Sequence, residues 1–244
     1  MEPGKRYASF LVKCMDEILR DEASAISQAA EFIAESVLMD GVLHIFGCGH
    51  SHMIAEEAFY RAGGFVPVNP IFDSAVMLHE GAVKSSAVEK MTGYAKLILD
   101  RYDIRPQDTM LVCSTSGINS LPIEMALEAK KRCSHVIGLT SLNYRDIPSR
   151  HPTGEHLYDV VSLCINNHVP VGDATLESEG VSGKIIPSSS ILSMFILNTM
   201  LAQTAEEMEK RHATPCFFRS GNVPGGAEYN QKYIQQYRNR IKSL

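Results

Sequence analysis

Apolar positions along the chain follow two rhythms. Over residues 7–39 they recur at helical spacing, at Leu11, Met15, Ile18–Leu19, Ile26, Ala29–Ala30, Ile33 and Val37, and Gly41 follows as a stop. This predicts one long leading helix. Short apolar runs come next, at 42–46, 65–68, 110–113, 136–140 and 159–165. Each reads as a buried strand. Helical patterns lie over 52–62, 87–102 and 122–132, and the longest over 191–210. The strand–helix order repeats five times. It predicts an α/β fold, a doubly wound three-layer sandwich with a five-stranded parallel sheet. Any site is expected at the carboxyl ends of the strands. The expected division is a helical arm over 1–40, a central domain over 41–210, and a tail with a helix over 211–244. That tail would pack on the domain or on a partner subunit.

Composition narrows the function classes. In 244 residues, 45% are hydrophobic and 21% charged, ordinary for a globular chain. The formal net charge of −5 comes without a basic stripe, which argues against nucleic acid as a partner. The six cysteines form no C-x-x-C pair and several sit in apolar runs, so free thiols in a reducing compartment are expected. The first residues lack the apolar core of a signal peptide, and no run reads as a membrane span. A cytoplasmic protein with no membrane partner is expected.

Two strand ends carry unusual turns. Ser114-Thr115-Ser116-Gly117-Ile118-Asn119 joins the third strand to a helix. Such a turn gathers backbone N–H groups, hydroxyls and the positive end of a helix dipole, which suits a phosphate without Lys or Arg. Gly117 allows close approach or positive φ, and Asn119 or Ser120 can cap the helix. Gly47-Cys48-Gly49-His50-Ser51-His52 does the same after the first strand. The spacing lacks the third glycine of a dinucleotide fingerprint. Ser188-Ser189-Ser190 stands at the start of the longest helix as its cap. Capped helix starts alone would also use these residue types.

The run Ser114 to Asn119 resembles the Ser-x-Ser-Gly-x-Thr/Asn turn of the SIS (sugar isomerase) domain, which holds the phosphate of a phosphosugar. Gly47 to Ser51 resembles the Gly-x-Gly-x-Ser turn of that family, especially in phosphoheptose isomerases. The resemblance covers about residues 42–205. It implies ligand contacts for Gly47, Gly49, His50, Ser51, Ser114, Thr115, Ser116, Gly117 and Asn119. It also implies that the N-terminus of the 191–210 helix, with Ser188 and Ser189, faces the sugar phosphate.

Chemistry would need a base. The connection over 71–83 is long for a compact domain and holds His79-Glu80-Gly81-Ala82. Its Glu-Gly-Ala piece resembles the catalytic segment of N-acetylmuramic acid 6-phosphate etherases. Glu80 is the expected base, with His79 or Glu57 as partner; Glu57 also stands four residues before Arg61, the spacing of an exposed ion pair. Aldose–ketose isomerisation of a sugar phosphate is the leading expectation. Etherase-type elimination and a non-catalytic phosphosugar sensor are the alternatives. No cofactor is expected. His50 and His52, with Glu56 or His79, do not have a helical metal-ligand spacing, so no metal is assigned. The leading helix and apolar tail offer surface for a homo-oligomer, a dimer or tetramer.

Overall fold

The computed structural model describes residues 2–244. Helices α1 (Pro3–Asp21) and α2 (Ala23–Leu38) lead into β1 (Leu43–Gly47), α3 (Met53–Ala58) and β2 (Val68–Pro70). Then come α4 (Ala82–Val88), α5 (Tyr94–Leu99), β3 (Thr109–Cys113), α6 (Ser120–Lys130), β4 (His135–Thr140), α7 (Leu157–Val160) and β5 (Leu163–Asn166). A small hairpin, β6 (Leu176–Glu177) with β7 (Lys184–Ile185), precedes α8 (Ser189–Lys210) and α9 (Gly226–Tyr237).

The main sheet is parallel and five-stranded, in the order β2-β1-β3-β4-β5. Period-two alternation sends its side chains to two cores. Leu43, Ile45, Leu111, Ile137 and Leu139 meet α2 and α8 through residues such as Ile26, Ile33, Leu197 and Met200. Phe46, Met110, Val112 and Val136 meet α5 and α6 through Leu99, Leu121 and Met125. Both faces are covered, which is why the strands read as unbroken apolar runs. Pro70 is tolerated because β2 is an edge strand. No helix among the described residues is long and apolar enough to cross a membrane.

Several elements differ from the pattern. The leading helix is broken at Glu22, whose carboxylate accepts the Asn166 N–H at 3.1 Å and sits 3.0 Å from His168 Nε2. α2 packs on the sheet itself, with Ile26, Ala29 and Ile33 fully buried in the first core. The expected helix over 52–62 ends at Ala58, and Tyr60 has φ of 43°. The expected 87–102 helix is two, parted by Gly93 at φ 81°. The second strand begins at Val68 rather than Phe65, because 63–66 pair with the tail instead: Val66 N–H donates to Cys216 O and Phe218 N–H to Gly64 O. The fifth strand begins at Leu163, because 157–160 form a helical turn with a capping box between His156 and Asp159.

The tail folds onto its own chain. Cys216, Phe218, Tyr233, Tyr237 and Ile241 bury Val42 and Val66. Arg240 reaches Asp108 with two hydrogen bonds of 2.7 and 2.9 Å. Val42 and Asp108 directly precede β1 and β3, so this contact closes the amino end of the sheet, opposite the phosphate-type turns.

Candidate functional site at the carboxyl end of the sheet

The strand order reverses between β1 and β3: one chain connection leaves toward β2, the other toward β4. A crevice forms at such a switch point. The turn after β1 is closed by backbone packing. A Cβ on Gly47 would stand 2.3 Å from Ser51 O, so only glycine fits. Gly49 has φ of 55°. A 3-10 turn over Gly49–His52 then leads into α3.

The turn after β3 is fixed by Ser114, whose Oγ accepts the Gly117 N–H at 3.3 Å. Gly117 has φ of 63°, and a Cβ there would meet Thr140 Oγ1 at 2.6 Å. Among the described residues, the backbone N–H groups of Ser116, Ile118 and Asn119 meet no protein acceptor. Free donors at the start of an 11-residue helix are what an anion needs.

These two turns and the start of α8 share one narrow cleft, with room for about one water molecule. Hydroxyls of Ser51, Ser114, Thr115, Ser189, Ser190 and Ser193 line it beside His50, over a floor of Ile54, Cys113 and Leu139. No carboxylate and no Lys or Arg lines it. Burial pushes the Cys113 thiol far above its ordinary range, so it is no thiolate nucleophile at neutral pH.

The structure thus brings His50, Ser51, Ser114, Thr115 and Ser189 into one place. Gly47, Gly49 and Gly117 shape the turns. Ser116 is half-buried in the second turn without lining the cleft. Asn119 holds the position that precedes α6, yet its side chain does not cap. Its amide donates to Glu89 Oε1 at 2.8 Å and its carbonyl accepts from Arg150 at 2.6 Å. Nor do the serines before α8 cap it unaided. Asp173 does so: its Oδ1 accepts the Ser188 and Ser189 N–H groups, both at 2.9 Å. Ser188 Oγ also donates to Oδ1 at 3.3 Å, and Ser189 Oγ to Oδ2 at 2.5 Å.

The expected acid–base residues stand outside the cleft lining. Glu57 is paired with Arg61 and accepts from Asn198 at 3.2 Å. Glu80 is exposed and 2.9 Å from Lys84 Nζ. The Lys84 hydrogen bond, helped by Ser74, holds its carboxyl below the ordinary value. His79 is exposed, with its ring 6.4 Å from that of His52. Both His52 nitrogens are engaged, Nδ1 at 2.5 Å from Gly49 O and Nε2 at 3.0 Å from Glu56.

Glu89 escaped the sequence reading. It lies just past α4, half-buried against the turn at Asn119. Desolvation pushes its carboxyl up, against the pull of the Asn119 hydrogen bond. Its charge also reaches Cys48 in the first turn. In the sequence it is one Glu in a Glu-Lys pair on an expected surface helix. Its burial depends on the packing of α4 against the second turn, which no local pattern carries.

A SIS domain family model matches residues 6–141. A UPF0309 protein of Geobacillus thermodenitrificans is 45% identical over 93% of this chain and 92% of its own length. One from Halalkalibacterium halodurans is 43% identical over 98% and 96%. In fold the chain is similar to phosphoheptose isomerase from Neisseria gonorrhoeae, at TM-score 0.53 and 17% identity, over 85% of this chain and all of that one. The Francisella tularensis phosphoheptose isomerase is similar at TM-score 0.51 and 17% identity, over 84% of this chain and all of that one. Sequence and fold agree, and the chain belongs to the SIS domain family, among the UPF0309 proteins.

Proposed function

We propose that this protein binds a phosphorylated sugar at the carboxyl end of its sheet and isomerises it between aldose and ketose. The observation that carries the binding is the cleft itself. Six hydroxyl-bearing residues, from the turns after β1 and β3 and from the start of α8, line a space with no carboxylate in its lining. That is a phosphate cradle built from dipoles and hydrogen bonds rather than cations. The fold likeness to phosphoheptose isomerases supports the substrate class.

Isomerisation moves a proton from C2 to C1 while the carbonyl moves from C1 to C2. The base takes the C2 proton while O1 gains a proton, giving the enediol; O2 then loses its proton as the C2-derived proton, or one from water, is added at C1. We assign this transfer to Glu80 with His79, Glu57 being the next candidate. Glu80 must leave Lys84 to accept a proton. Glu89 is the further candidate, since a raised carboxyl is closer to the range where proton exchange near neutral pH is efficient. A non-catalytic phosphosugar sensor is the second reading. The ion pairs that occupy both Glu57 and Glu80 favour it.

A thermal-shift screen against five- to seven-carbon aldose and ketose phosphates tests the binding. A ligand at 100 times its Kd stabilises by about 2.7 kcal/mol. Hits then enter D₂O, and NMR follows deuterium at C2. Wash-in that Glu80→Gln or Glu89→Gln abolishes supports isomerisation. Binding without wash-in leaves the sensor. No stabilisation by any member overturns the proposal.

A further inference from the structure

We propose that Asp173 is an internal anion that occupies part of the phosphate cradle and must leave it for a phosphorylated ligand to bind tightly. The inference rests on the phosphosugar reading of the cleft. Asp173 takes four hydrogen bonds from the first residues of α8, two from backbone N–H groups and two from hydroxyls. One donor, Ser189, also lines the cleft. The carboxylate therefore holds the N–H and hydroxyl of Ser189, two of the donors that a phosphate in this cleft would meet. Two anions on one helix start repel, so ligand and Asp173 compete.

A second observation points to a missing partner. Ser114 is 5% exposed and lines the same cleft. Its Oγ accepts the Gly117 N–H, and its own hydroxyl proton has no protein acceptor among the described residues. At the start of α8 Asp173 holds the donors of Ser188 and Ser189, while the Ser190 and Ile191 N–H groups meet no protein acceptor among the described residues and stay open with the β3 turn.

The segment that delivers Asp173 is built to let go. Between Val169 and Ser188 its only regular structure is a hairpin of two residue pairs. Asp173 has φ of 48° and Ile186 φ of 68°, and a β-branched residue rarely adopts that region. Two tyrosines tie the segment down. Tyr144 OH accepts the Gly172 N–H at 2.8 Å, and Tyr7 OH donates to Pro187 O at 2.6 Å. The second tie links it to α1. A ligand that evicts the carboxylate would free the strap and loosen this tie.

The test is calorimetric titration of inorganic phosphate into the wild type, Asp173→Asn, Tyr7→Phe and Ser114→Ala. Asp173→Asn keeps the shape and one acceptor oxygen but removes the charge. It should bind phosphate about tenfold tighter, because like-charge juxtaposition is removed. Tyr7→Phe leaves Asp173 intact and unties the strap, and should tighten binding by roughly two- to threefold. Hydrogen exchange over 169–187 in the wild type should rise on adding phosphate. If Ser114→Ala weakens phosphate while Asp173→Asn and Tyr7→Phe bind no tighter than the wild type, Asp173 is a helix cap alone. The proposal then falls and the phosphosugar reading stands. If none of the four proteins binds phosphate and no sugar phosphate stabilises the wild type, both fall together.

Discussion

The two ends of the sheet handle polar groups in opposite ways. At the amino end, charge is buried and answered with charge. Asp108 is fully buried and accepts from Val42 and Arg105 N–H groups, from His44 Nε2 at 2.9 Å and from Arg240. His44 is held on its other side by Asn69 at 2.9 Å. At the carboxyl end, hydroxyl-bearing residues line a cleft with no carboxylate, Lys or Arg in its lining, and the one carboxylate beside it, Asp173, is held by the start of α8. The first arrangement pairs its charges without a ligand and fixes structure, though Asn69 Oδ1 and Arg240 Nε are buried without a partner. The second leaves donors free, and free donors near a helix start are the mark of a site. Polar burial alone would not separate them; whether the partners are already present does.

Breaking the amino-end network should have the largest effect. Arg240→Met leaves the buried Asp108 carboxylate with only His44 and backbone donors. Stability should fall by about 3–5 kcal/mol in urea unfolding, while phosphate affinity of the folded protein stays the same. The same network sets an acid dependence. Burial alone would push the Asp108 carboxyl up, but the His44 hydrogen bond and charge, the Arg105 N–H and Arg240 outweigh it and hold it below the ordinary value. A depressed folded value means stability present above the unfolded carboxylate range and lost as pH falls through the folded one. Unfolding midpoints taken from pH 6 down to pH 3 should show that loss, and Asp108→Asn should flatten it from a lower starting point.

Gly117→Ala strikes the carboxyl end through its backbone. It combines positive φ with a clash against Thr140. A cost of about 2 kcal/mol is expected, together with weaker sugar-phosphate binding, because the turn must shift. Ser51→Ala, at a serine that lines the cleft, is the gentlest. It should leave stability within about 0.5 kcal/mol and weaken a bound sugar phosphate by about 1–2 kcal/mol. Equal losses of stability at both ends would erase the contrast between them.

Much of this was legible before the structure. The strands β1, β3 and β4 announce themselves as apolar runs, and glycine with hydroxyls marks the turns after β1 and β3. Local chemistry sets those turns, so local sequence reveals them. What stayed hidden depends on residues far apart in the chain. Asp173 caps α8 from 15 and 16 residues upstream, through an irregular segment. Glu22 breaks the leading helix to serve groups at 166 and 168. Glu89 gains its burial from a turn 30 residues on. The serine run before α8 suggested self-capping because serine is a common cap; a carboxylate with two oxygens outcompetes a hydroxyl for the same N–H groups.

The Asp108–Arg240 pair has a consequence for how the chain is made. Its partners are 132 residues apart, and the guanidinium comes second. At ordinary synthesis rates Arg240 follows Asp108 from the ribosome by roughly 7–26 s. Throughout that interval β1 and β3 can pair, but the carboxylate between them lacks its cation. The nascent sheet is then a provisional assembly, open to chaperones, and the tail serves as the closing bolt of biosynthesis.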